Sequence, residues 1–213
     1  MKQRVVGWFR ALGLHLGVFF ALLTVLWLLL SAAAALPNEA LQKNFETSAV
    51  YYMQHEVFPL NEGDHRSGMG DHYADMIQTN VAWHMGNGCP LTSSLNTRYY
   101  DGEEMGENFG LYASVTREAE PNHDYTRYWH GNTMVLRWLH LLTDVNGIML
   151  LGFFTLLLLV ALTAGILCRK GHVDLAVLLL VALVAVRFWN VRWSLEFQRT
   201  PNIYFKKVFC RFC

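Results

Sequence analysis

The stretch VNGIMLLGFFTLLLLVALTAGILC, residues 145–168, runs for 24 positions without a formal charge. About twenty apolar residues cross the hydrocarbon core of a bilayer as a helix. A helix buried in a soluble protein is seldom apolar on every face for so long. Residues 11–36 repeat the pattern over 26 uncharged positions. Both runs are read as transmembrane helices.

The first run has the basic start of a secretory signal, Lys2, Arg4 and Arg10, and an Ala-rich end at Ala32, Ala33, Ala34 and Ala35. A signal's apolar region spans about 7–15 residues. This run is longer, which favours an uncleaved helix. A third apolar run, 173–189, is bracketed by Asp174 and Arg187, with 12 uncharged residues between them. It is either a third span whose charged ends snorkel to the interfaces or a re-entrant or interfacial helix.

The formal charge sums to zero but is unevenly spread. Residues 37–144 hold 15 Asp and Glu against 6 Lys and Arg, whereas the remainder holds 2 against 11. Basic residues mark the cytoplasmic side. The N-terminus (1–10) and the turn at 169–172 are therefore expected inside, and 37–144 outside. The basic tail, 190–213, fits this poorly, because it would emerge outside if the third run crosses. The acidity of the outer segment argues against a nucleic-acid partner. The first two runs hold one obvious ionisable residue, His15, which disfavours a channel or transporter.

The expected fold class is an all-α membrane protein, with two to three transmembrane helices and a large extracytoplasmic loop of amphipathic helices. Pro37 ends the first run, and Asn38 is placed to cap a helix from 39 to 56. Leu41, Phe45, Ser48, Ala49, Tyr52 and Met53 recur at helical spacing, a greasy face suited to the bilayer surface. Pro59 and three glycines predict a loop over 59–70. A second helix starts near Asp71, carries Tyr73, Ile77, Val81 and Met85 on one stripe, and ends at Gly86. Residues 89–124 read as irregular. A third helix runs through Leu142, and 144–147 break it before the second span.

Two polar clusters carry the candidate chemistry. GDHRSGMGDHYAD, residues 63–75, sets Asp71 and Asp75 one helical turn apart. In one reading Asp71 caps a helix and Asp75 is solvated. In the other they form a general base or a site for Mg²⁺ or Mn²⁺, which favour carboxylate oxygen. Seven of the nine histidines lie in 37–144, without the helical HExxH spacing of a zinc site. Cys89 is alone in that segment, and the terminal Cys210–Cys213 pair lacks the second pair of a zinc motif. The other cluster is YTRYWHGN, residues 125–132. It is either an aromatic belt touching lipid or a site where Arg127 grips a phosphate and Tyr128 and Trp129 stack on a sugar or prenyl chain. Arg137 and Trp138 follow it.

Asp71, Tyr73 and Asp75, followed between the same two spans by Arg127, Tyr128, Trp129, His130 and Gly131, resemble the two motifs of a family of multi-pass bacterial membrane proteins similar to GT-C glycosyltransferases. His72 and Ala74 depart from the first motif. The resemblance implies the N-terminal part of a longer cytoplasmic-membrane enzyme that uses a polyprenyl-phosphate sugar donor on the outer face. Asp71 and Asp75 would be catalytic or hold a divalent cation. Tyr73, Arg127, Tyr128, Trp129 and His130 would bind substrate. The tail after 198 departs from the pattern and points to truncation or a frameshift. The other class of function is a non-catalytic membrane protein whose outer loop binds a partner or ligand.

Overall fold

A computed structural model describes residues 2–58, 72–102, 106–126, 131–193 and 195. It is mostly helical. Helix α1 spans Lys2–Ala34, α2 Asn38–Met53, α3 His72–His84 and α4 Pro90–Ser93. Strand β1, Arg98–Tyr99, precedes α5, Gly106–Thr116, and β2, His123–Asp124. Then follow α6, Gly131–His140, α7, Val145–Arg169, α8, Val173–Ala185, and a 3₁₀ helix, Phe188–Trp193.

Two helices are long and apolar enough to cross a membrane, Arg10–Ala34 within α1 and Val145–Arg169. Neither is a core helix. Every position from 10 to 29 is exposed, and burial in α1 begins only at its end, with Ser31, Ala33 and Ala34. In α7 burial is confined to the start, at Val145, Ile148 and Met149. The last turn of one shaft and the first turns of the other are thus built into a helical cap made of α2 to α6, from which both shafts extend. Asp144 caps α7 by accepting the Gly147 amide at 2.9 Å, so the break before α7 falls at 141–144 and not at the expected 144–147, where 145–147 are already helical.

The cap core gathers Leu41, Phe45, Tyr52, Met76, Leu111 and Leu136. The periodic face expected on α2 is present at Leu41, Phe45, Ser48, Ala49 and Tyr52, which are buried, but Met53 is exposed. It packs on α3, α5, α6 and α7 rather than lying on lipid. Asn38 does not cap α2. Pro37 occupies the N-cap position without a side-chain bond, and the Asn38 amide turns inward instead. The helix stops at Met53, three residues short of the expected end. There the His55 ring folds back onto Tyr51 at 4.1 Å and donates from Nδ1 to the Tyr51 carbonyl at 2.6 Å. The loop expected over 59–70 lies outside the described residues.

Residues 89–124 are more ordered than their composition implies. They contain α5 and an antiparallel pair in register Arg98 with Asp124 and Tyr99 with His123. Gly110 lets α5 approach the chain at Tyr100, because a Cβ there would sit 2.6 Å from the Tyr100 carbonyl oxygen. Helix α6, the third helix expected from the sequence, ends at His140 rather than Leu142.

The third apolar run forms α8 over 13 residues, about 20 Å, short of a full bilayer crossing. The chain nevertheless returns to the cap. After Arg187, at φ +52°, the 3₁₀ helix continues back along α7. Phe188 stacks on Phe153 with centroids 6.3 Å apart. Arg192 donates to the Asn146 side chain at 3.0 Å, and the Leu195 amide donates to Asp75 at 2.9 Å. Helix α8 and the 3₁₀ helix together therefore retrace α7, and residue 195 stands on the cap side.

Candidate functional site

Helix α3 is the centre of the cap and is buried almost throughout, polar residues included. His72, Asp75, Gln78, Thr79, Asn80 and His84 are all hidden. Asp75 is 0% exposed, so the expectation of a solvated carboxylate is overturned. The cause is packing. Helices α2, α5 and α6 and strand β1 surround α3, and its polar side chains meet partners instead of water. Thr79 donates to the Asp75 carbonyl at 2.7 Å, Asn132 to Gln78 at 3.3 Å, and Asn80 to the Tyr100 carbonyl at 2.9 Å.

Asp75 lies in the first turn of α3, where the helix dipole favours a carboxylate. Tyr51 and Tyr52 stand close enough to feel its charge, and the rings of His72 and His55 pack on these tyrosines. The His72 ring meets Tyr52 edge-on at 5.4 Å, Tyr51 at 5.9 Å and His55 at 6.0 Å. Its Nδ1 donates to the Glu56 carbonyl at 3.1 Å. Burial, then the Asp75 carboxylate, pushes the Tyr52 hydroxyl well above its ordinary value. Burial also raises Tyr51, with Arg192 opposing and Asp75 and Asp144 adding to the rise. Asp75, Asp144 and Arg192 thus share one electrostatic neighbourhood where the cap meets α7.

Tyr73 stacks on Phe58 at 6.1 Å and packs against Ile77, Val81 and Tyr99. Asp71, Arg127, Tyr128, Trp129 and His130 lie outside the described residues. Among the described residues no three His, Cys, Asp or Glu side chains come together to hold a metal ion, and of the expected carboxylate pair they supply Asp75 alone.

Arg137, which follows the second motif, is not a free phosphate ligand. It is 0% exposed. Its Nε donates to the Ala33 carbonyl at 2.9 Å. Nη1 donates to the Ala82 and Trp83 carbonyls at 2.7 and 3.2 Å, and Nη2 to the Leu36 carbonyl. Both Nη atoms reach Asn38 Oδ1 at 3.1 Å. One cation therefore closes the C-terminal ends of α1 and α3, where the dipoles are negative, adding to the Leu36 and Gly86 amides that the Ala33 and Trp83 carbonyls already accept. Burial lowers its pKa to about 10, so it stays charged at neutral pH. The sequence held a signal for this role in Gly86, where a Cβ would overlap Asn38 Oδ1 and lie 2.6 Å from Nη2.

Two buried histidines complete the polar framework. His140 donates from Nδ1 to the Leu136 carbonyl at 2.7 Å, stacks on Phe45 at 4.0 Å, and turns Nε2 to Ser48 Oγ at 3.1 Å. Ser48 also accepts the Val145 amide at 2.8 Å, joining α2 to the start of α7. His84 meets Ser114 Oγ at 3.1 Å. Beside it opens a polar cavity of about 340 Å³ between α2, α3 and α5, with Asn38, Trp83 and His84 on its walls and Glu39, Glu118 and Glu120 around it.

The chain matches no family model, no curated protein and no solved structure.

Proposed function

We propose that the chain is an integral membrane protein, the N-terminal portion of a GT-C-like glycosyltransferase that works on the outer face of a bacterial cytoplasmic membrane. One observation carries the reading. Asp75 is a fully buried carboxylate at the junction between the cap and the apolar helices, flanked by aromatic rings. Sugar transfer from a polyprenyl phosphate needs a base near the lipid head group. Asp75 takes the proton of the acceptor hydroxyl as its oxygen attacks the anomeric carbon and the phosphate leaves. Arg127 and His130 contact the departing phosphate, and Tyr73, Tyr128 and Trp129 line the sugar or prenyl chain. No step is assigned to a cation.

The membrane setting is supported by the exposed apolar shafts of α1 and α7, whose uncovered hydrocarbon surface far exceeds that of an ordinary soluble protein. Retention of α1 is supported by Arg137. Cleavage in the Ala-rich stretch would remove the Ala33 carbonyl that the guanidinium holds.

The test compares Asp75→Asn with Asp75→Ala in the intact gene product. Asn keeps an acceptor for the Leu195 amide and should preserve the fold while abolishing transfer of the sugar to its acceptor. Undiminished transfer by a well-folded Asp75→Asn protein rejects the catalytic reading. The rival reading, a non-catalytic membrane protein whose cap binds a ligand or partner, is favoured by the polar cavity beside His84 and predicts indifference to Asp75→Asn.

A further inference from the structure

Helix α4 packs on the side of α1. The Trp27 indole Nε1 donates to the Leu91 carbonyl at 3.3 Å, and Ser31 Oγ donates to Ser94 Oγ at 3.4 Å. Leu91 and Leu95 remain exposed beside these contacts. We propose that residues 90–95 dip into the hydrocarbon of the cap-side leaflet as a shallow extra anchor, with the Leu91 and Leu95 side chains against acyl chains. The inference rests on the membrane reading of α1.

Depth identifies what covers these leucines. About twenty residues of helix cross the hydrocarbon core. Every stretch of that length within the apolar span Arg10–Ala34 includes Trp27. Trp27 lies about 10 Å along the axis from Ala34, where the span meets the cap. A helical side chain leans toward the N-terminus of its helix, which here points further from the cap. The Leu91 carbonyl that the indole holds is therefore below the head groups. Leu28 and Leu29, next to Trp27 in α1, are exposed at the same level, so the leucines of the turn extend one continuous apolar surface.

The turn has the chemistry that such a depth demands. Residues 85–97 carry no formal charge over 13 positions, inside a segment otherwise rich in Asp and Glu. Backbone away from a long helix is tolerated in hydrocarbon only where its polar groups are paired. Pro90 brings no N–H. The amides of Thr92, Ser93, Ser94, Leu95 and Asn96 all find carbonyls within the turn, at 2.8 to 3.2 Å. Thr92 and Ser94 turn their hydroxyls onto the Cys89 and Leu91 carbonyls at 3.1 and 3.3 Å. Cys89 marks the mouth of the turn. It lies midway in the chain between Leu91 and Asn87, which Asn38 holds in the cap at 2.9 Å, so its thiol stays among the head groups.

The test uses the whole chain in phosphatidylcholine vesicles, with its four cysteines replaced by Ser and the polarity-sensitive dye NBD on one introduced thiol. Leu91→Cys probes the turn. Leu22→Cys, exposed on the α1 shaft, reports the membrane reading, and Glu120→Cys, exposed on the cap, reports water. Dye at 91 should emit to the blue of dye at 120. A spin label near the carbonyl end of the lipid chains should quench it more than one near their tips. Water-like emission at 91 beside apolar emission at 22 overturns the proposal. So does blue emission at 91 that neither spin-labelled lipid quenches, because protein would then be the cover. Water-like emission at 22 instead rejects the membrane reading beneath it. Should dye at 91 unfold the cap, seen as lost helical circular dichroism, Leu95→Cys takes its place.

Discussion

Arg137 Nε stands 2.9 Å from the carbonyl oxygen of Ala33, tying the end of the first apolar helix to the helix that leads into the second. Replacing the guanidinium with Met takes away the partner of the Ala82 and Leu36 carbonyls, whereas Ala33 and Trp83 keep the Leu36 and Gly86 amides. Each unsatisfied buried group costs about 1–3 kcal/mol, so Arg137→Met should lose about 2–6 kcal/mol. Lysine, with three donors from a single atom, recovers only part of that. Denaturant unfolding of the detergent-solubilised chain reads both, and a wild-type midpoint in Arg137→Met would show that the bonds are dispensable.

Gly86 is the complementary position. A methyl there overlaps the Asn38 oxygen that Arg137 holds. Gly86→Ala should destabilise by about 1–3 kcal/mol through overpacking. Pairing it with Asn38→Ala, which removes the clashing atom, should give less than the sum of the two losses. Strict additivity would mean that the clash is relieved elsewhere.

Burial lowers His84 and His140 from 6.5 to about 4, with Arg98 adding to the fall at His84. At His140 the Leu136 hydrogen bond and Asp144 oppose the fall, and Arg137 adds to it. Unfolded, each imidazole takes a proton as the pH drops through 6.5. Folded, neither does so until about 4. The unfolded chain therefore binds more protons inside that window. Stability is complete above the upper value and falls as the pH approaches the lower one, by up to about 3 kcal/mol per histidine. Melting curves from about pH 7 to about pH 4.5 should show the midpoint descending. The double substitution His84→Gln with His140→Gln should flatten the slope. A flat wild-type profile would mean that the rings are protonated in the fold.

Cys89 and Cys168 are both exposed, one in the cap and one at the far end of α7. With Cys210 and Cys213 replaced by Ser, a membrane-impermeant maleimide applied to intact cells should label Cys89 and leave Cys168 unreacted until the membrane is opened. The opposite pattern would invert the proposed topology.

The apolar shafts are legible in the sequence because a long run without charge is stable in few settings besides a bilayer. The buried face of α2 is legible from its spacing, but what it packs against is not, since period alone does not distinguish lipid from protein. Helix α5 is hidden by its own composition. Its glycines read as loop, although Gly110 is there for close approach to Tyr100. Arg137 misleads for a related reason. Its partners include backbone carbonyls, which side-chain patterns do not record. Asp75 stands out in the sequence, but its burial depends on neighbours from α2, α5 and α6 that no local pattern displays.

The bond from the Leu195 amide to Asp75 joins residues 120 positions apart. Its consequence lies in biogenesis. While the ribosome is still making α8, Leu195 does not yet exist, so Asp75 cannot have met that amide. Only when the hairpin has been threaded back does the last piece arrive. That bond is thus closed only after residue 195 has been made, and a nascent chain arrested at Arg169 would display Asp75 without it.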